Sequence, residues 1–192
     1  MVFAADEQSA HPVDLERWRD LAVAVLDAEG LRGEVEVSLL FLDSEAMADL
    51  NRRFLDRSGP TDVLAFPIDD EPAEGGRSPD AGGTGPGWMP ADPEGLPRLL
   101  GDVVICPEVA HRNALAGGGS LDDEIALLVV HGLLHLNGMD HELEPEATQM
   151  EARERELLAG FYRPAPGPDT PATPQTPQIP QSADQPGTRE SR

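Results

Sequence analysis

Between Asp14 and Ala28 the apolar positions recur at helical intervals. Leu15, Trp18, Leu21, Ala22, Val25 and Leu26 fall on one side of a predicted helix, and Gly30 follows as a stop. The period then switches to two: in EVEVSLLF, Val35, Val37, Leu39 and Phe41 alternate with mostly polar neighbours, which predicts a strand with one buried face. DSEAMADLNRRFL returns to helical spacing through Met47, Leu50 and Phe54, with Asp43 or Ser44 as its cap. GPTDVLAFP reads as a turn, a short strand from Asp62 to Phe66, and a breaker. LLGDVVIC is a further strand, and Pro107 starts a helix through EVAHRNALA. Ser120 and Asp123 form the pattern of a capping box opening a helix over Leu121 to Asn137, with Gly138 placed to end it in a left-handed conformation. A last helix spans PEATQMEARERELLAGF, with Met150, Leu157 and Leu158 as its apolar contacts.

Two stretches lack any such period. Residues 68–97 are rich in Gly, Pro and Asp and read as a disordered insertion, in which Trp88 and Met89 are the candidates for touching the surface. From Pro164 onward, Pro, Thr and Gln stand where a core would need aliphatic side chains, which predicts a disordered tail over 164–192. The expectation is one domain over residues 1–163, carrying the insertion, followed by that tail.

Composition narrows the picture. The 192 residues carry a formal charge of −22, and all 14 basic side chains are arginines. Such a chain is a poor general binder of nucleic acid, so a polyanionic partner must be met by a local arginine patch. The one cysteine, Cys106, excludes an internal disulfide and reads as a small buried residue. MVFAADEQSAHPVD has neither the basic start nor the apolar centre of a signal peptide, and the apolar run IALLVV is too short to span a bilayer. A soluble, intracellular protein is expected.

The chemistry concentrates in HGLLHLNGMDH, residues 131–141. His131 and His135 lie four apart, so a helix puts both rings on one face, one turn from each other. Gly138 turns the chain, and His141 can swing back toward them. Three imidazoles with a fourth position open are the donor set of a catalytic zinc rather than a structural one. His11 and His111 have no partner at ligand spacing and are read as structural. The histidine and glycine spacing is that of metzincin proteases, but these carry a glutamate base directly after the first histidine, where Gly132 stands here. Peptide hydrolysis by that route loses its proton acceptor unless Asp140 or Glu142 supplies one from another direction.

HGLLHLNGMDH resembles the signature of the YbeY-type endoribonucleases, the rRNA maturation factors. LNRRFLDRSGPTDVLAFP and LGDVVICPEVA are similar to that family's two other characteristic stretches, in the same order, and the likeness runs from about Val35 to Gly160. The resemblance implies an α+β, zincin-like single domain: a small mixed β-sheet packed with several helices, and a metal site on a helix and the following turn. It implies one zinc ion per chain on His131, His135 and His141. It also implies a metal-dependent endoribonuclease specific for single strands, acting in the cytoplasm. The family's work is maturation of the 3′ end of small-subunit (16S) ribosomal RNA and ribosome quality control. The partners would be ribosomal RNA and the small subunit or its proteins, with neither membrane nor DNA involved.

The chain departs from the family in one place that bears on catalysis. Many members have an arginine directly after the aromatic residue that closes the second helix; here Leu55 follows Phe54. That role is not carried over. Arg53 and Arg57 are the candidates for holding the phosphate, within a segment that also offers Arg52, with Arg112 further along; the alternative is that Arg53 and Arg57 are solvated surface arginines. A milder departure is Met139, where an aromatic residue is usual. Asp102 and Asp140 are candidates for orienting a ligand histidine from behind. Thr61 and Asp62 are read as fixing the turn into their strand, and no general base is identifiable. Two rival readings stay open: a metalloprotease-like hydrolase, and a non-catalytic ribosome assembly factor whose metal only stabilises the fold.

Overall fold

The structure, a computed structural model, describes residues 1–31, 35–68, 98–141 and 143–164. The predicted insertion and tail, and Glu142, therefore lie outside the described residues, apart from Ile68 and Pro164 at the edges.

The period-two segment becomes β2 (Val35–Phe41), flanked by β1 (Val2–Asp6) and β4 (Arg98–Ile105), with β3 (Val63–Pro67) beyond β4. β1 pairs parallel to β2 and β2 parallel to β4, whereas β3 runs antiparallel to β4, so the sheet is mixed and ordered β1-β2-β4-β3. β1 had no strong signal in the sequence. VFAAD is short and alanine-rich, and its strand character comes from lying against β2, in register from Val2 opposite Val37 to Asp6 opposite Phe41.

The predicted alternation sorts the two faces of the sheet. Val37, Leu39 and Phe41 of β2 lie level with Gly101, Val103 and Ile105 of β4 and face the main core. That core is completed by α1 (Leu15–Ala28), α4 (Leu121–Leu136) and α5 (Glu144–Phe161). On the opposite face Leu40, Val104, Leu64 and Phe66 pack with Met47 and Leu50 of α2 (Ser44–Leu55) and with Val109 of α3 (Pro107–Gly117). Cys106 is fully buried in that smaller cluster, as a small apolar residue would be.

α4 is the axle. It buries Ile125, Ala126, Val129, Val130, Leu133 and Leu134 on several sides at once. The capping box forms as predicted: Ser120 Oγ accepts from the Asp123 backbone N–H, and the Asp123 carboxylate accepts from the Ser120 N–H. At the other end Asn137 is the cap, the Gly138 N–H donates to the His135 carbonyl and the Met139 N–H to that of Leu134. Those two bonds define a Schellman motif, which needs a left-handed residue, and Gly138 supplies it at φ 88°. Met139 then packs on the main core that also holds Leu134, the apolar contact the motif usually carries. A large apolar side chain is what the motif needs there, and Met139 supplies it.

A half-buried polar network fixes α5 against the same end of α4. Glu29, just past α1, accepts from Arg153 Nε at 2.7 Å and from Asn137 Nδ2 at 3.1 Å. One carboxylate thus joins α1, the turn after α4, and α5. The Glu29 bond raises the Arg153 pKa further.

Candidate metal centre

His131 and His135 project from the last two turns of α4, and the Schellman turn brings His141 back beside them. Ring centroids are 4.6 Å apart for His131 and His135, 4.9 Å for His135 and His141, and 5.4 Å for His131 and His141. One ring nitrogen from each lies within 4.8 Å of the others, the spread of a metal-ligand set. Their chemistry fits such an ion. His131 Nε2 and His135 Nε2 stand 3.1 Å apart, and His131 Nδ1 is 2.7 Å from Glu154 Oε1. With the Nδ1 proton shared with a carboxylate, His131 Nε2 is the nitrogen left with a lone pair, facing its neighbour's ring.

Glu154 was not singled out by the sequence reading. It lies on α5, 23 residues from His131, and is 9 % exposed. The available signal was its place between Met150 and Leu157, a carboxylate within the apolar stripe of its helix. Asp140, one of the two candidates for supporting a ligand histidine, accepts from the His141 backbone N–H at 2.6 Å and so helps shape the turn that carries His141. Asp102 sits in β4 opposite Phe66 and is not among the residues that line the cleft.

The histidines open onto a cleft of about 250 Å³ between α4 and the loop that follows α2. Leu55, Arg57, Ser58 and Thr61 line it together with His131 and His135. Both candidate arginines are exposed; the fold brings Arg57 to this cleft, whereas the Arg53 guanidinium lies 5.9 Å from the Phe54 ring centre. The separation follows from the end of α2. Asp56 caps the helix in a left-handed conformation, φ 54°, which turns the chain so that Arg57 leaves the helix direction that Arg53 keeps. Asn51 steadies this loop, donating from Nδ2 to the Gly59 carbonyl at 2.7 Å. Arg112, on α3, is exposed and away from the cleft lining.

Thr61 and Asp62 do hold the turn into β3. Asp62 Oδ1 accepts from the Val63 N–H at 2.9 Å and from Thr61 Oγ1 at 3.1 Å, while Oδ2 accepts from Asn113 Nδ2 at 2.8 Å. Nearby, burial and then the Asp62 charge push the Glu124 carboxyl above its usual range, against a bond from Asn113. His11 and His111, read as structural, meet with ring centres 4.7 Å apart and planes tilted by 43°.

Gly132 has a steric reason. A Cβ there would fall 2.5 Å from Val103 Cγ1, because α4 rests directly on β4 at this point. The position that holds the metzincin base is thus closed to any side chain. Among the described residues, no helix is long and apolar enough to cross a membrane.

A protein-family model described as Endoribonuclease YbeY matches residues 3–162, a longer span than the three sequence blocks suggested. A protein named Endoribonuclease YbeY from Thermobifida fusca is 43 % identical over 157 residues, covering 81 % of this chain and 91 % of the relative. One of the same name from Mycolicibacterium smegmatis is 42 % identical over 158 residues, covering 82 % of each chain. The solution structure of TM1509 from Thermotoga maritima aligns with a TM-score of 0.49 at 20 % identity, over 84 % of this chain and 91 % of that one.

Proposed function

Because the chain belongs to the Endoribonuclease YbeY family, we propose that it is a metal-dependent endoribonuclease that hydrolyses single-stranded RNA at the three-histidine centre. The observation that carries this reading is the shared cleft: the ligand histidines and one arginine line the same 250 Å³ space.

His131, His135 and His141 would hold one zinc ion, a choice supported by an all-imidazole donor set. Bound there, zinc supplies Lewis acidity toward a phosphate oxygen and lowers the pKa of nearby water toward neutrality. Arg57 binds the scissile phosphate through its planar guanidinium, taking the part that Leu55 cannot. Ser58 adds a hydroxyl on the same wall. The substrate in the cell is the 3′ end of small-subunit (16S) ribosomal RNA, cut during maturation and quality control in the cytoplasm. Support for that role is the likeness of the three sequence blocks to the family's. The net charge of −22 fits a partner that brings its own positive surface, as small-subunit proteins would.

The test is cleavage of an end-labelled single-stranded RNA from that 3′ region, beside its duplex form and DNA of the same sequence. Zinc-loaded wild type should cut the single strand internally. His135→Ala should leave it intact. Arg57→Ala should cut about 100-fold more slowly, the scale for losing one preorganised donor to a transition-state oxyanion. Leu55→Arg added to Arg57→Ala should recover part of the rate. Zinc-loaded wild type that retains its metal and leaves all RNA uncut would replace the nuclease with the assembly-factor reading, and cleavage of peptides instead would replace it with the protease.

A further inference from the structure

The buried carboxylate of Glu154 needs an explanation. On α5 the inward stripe runs Met150, Glu154, Leu157, so an ionisable group occupies a position where an aliphatic side chain would pack at no electrostatic cost. Burying an unpaired carboxylate is expensive, and even a buried pair is often no more stable than the hydrophobic residues that could replace it. Fold stability is therefore a weak reason for Glu154. Its partner is specific: Oε1 lies 2.7 Å from Nδ1 of His131, on the side of the ring away from His135.

From this geometry we infer that Glu154 is a positioning residue for the metal centre, fixing His131 as the Nδ1–H tautomer and so presenting its Nε2 lone pair to the ion. The role rests on the three-histidine reading above. A neutral imidazole can carry its proton on either nitrogen, and only one of the two tautomers leaves Nε2 able to coordinate. A carboxylate accepting from Nδ1–H removes the wrong tautomer, stops rotation of the ring and makes Nε2 more basic. The neighbouring residue holds the carboxylate in place. Arg153 is bound to Glu29, and Glu29 to Asn137 at the end of α4, so α5 cannot slide along α4 without breaking one of these bonds. Glu154 thus faces the ring from a helix whose register is fixed at that level.

Two substitutions separate this role from a packing role. Glu154→Leu completes the apolar stripe and removes the acceptor; Glu154→Gln keeps an acceptor oxygen and removes the charge. Zinc affinity is read by competition with a chromogenic chelator, the melting temperature on metal-free protein, and the tautomer from the ¹⁵N shifts of the His131 ring. The expected result for Glu154→Leu is a metal-free melting temperature equal to or above that of wild type. Its zinc affinity should be about 10- to 100-fold weaker, with mixed tautomers at His131. Glu154→Gln should fall between it and wild type in affinity. Unchanged zinc affinity and an unchanged Nδ1–H signal in Glu154→Leu would overturn the inference while leaving the centre intact. Wild type that takes up no zinc would overturn the centre, and this role with it.

Discussion

At Gly132 a side chain has nowhere to go, because Val103 is fully buried and its methyl groups already fill the space a Cβ would need. Gly132→Ala should therefore lose about 1–3 kcal/mol in chemical denaturation, the usual cost of overpacking, although alanine is the better helix former. Val103→Ala in the same chain should return part of that loss by clearing the contact; a Gly132→Ala variant as stable as wild type would mean that α4 does not rest on β4 here. The residue scale also divides what the sequence could say from what it could not. His131, His135 and His141 were legible because the spacing that makes a ligand set is local: four residues of helix, then a glycine turn. Glu154 was not, since its meaning depends on which side of α5 meets α4, a fact held by Glu29 and Arg153 across the fold. Arg53 and Arg57 could not be told apart by sequence, because a single left-handed residue, Asp56, decides which one reaches the cleft.

Among the elements, α4 carries the most consequence, and both of its ends were readable. Ser120 with Asp123, and Gly138, are short-range signals whose hydrogen bonds form almost wherever a helix begins or stops. Ser120→Ala removes the cap and should cost about 1 kcal/mol. Its pH dependence has a defined sign. The Ser120 hydroxyl, working against partial burial and helped by Tyr162, the Ser120 N–H and Arg17, holds the Asp123 pKa below its ordinary value. A depressed folded-state pKa contributes stability that is complete above the unfolded value, about pH 4, and is lost as pH falls through the folded one. The gap between wild type and Ser120→Ala should thus be widest near neutrality and narrow below about pH 4, read by denaturant titration at each pH. A gap that widens in acid would contradict the assignment. β1 shows the opposite case, since five residues of weak propensity become a strand only because β2 offers them a parallel edge. The antiparallel pairing of β3 with β4 was equally out of reach, because 30 residues separate the two strands in the chain.

Over the whole molecule, the mixed sheet serves as a floor on which α4 is held from several sides, so that its C-terminal turns present two imidazoles, and the turn after it a third, to a cleft shared with the α2–β3 loop. The individual elements followed from alternating periods and the fold class from the family resemblance, and the cleft could not, because it forms where segments about 75 residues apart meet. The acidic surface makes the point sharper. A molecule with a charge of −22 offers RNA no general attraction, so cleavage has to be carried by this one site and by whatever metal it holds. The most direct measurement is a titration of metal-stripped protein with zinc, following cleavage of the single-stranded 3′-end RNA and bound metal in the same samples. The account predicts that the cleavage rate rises in proportion to bound zinc and breaks at one ion per chain. Full activity in the stripped protein, or saturation with zinc without any cleavage, would contradict it.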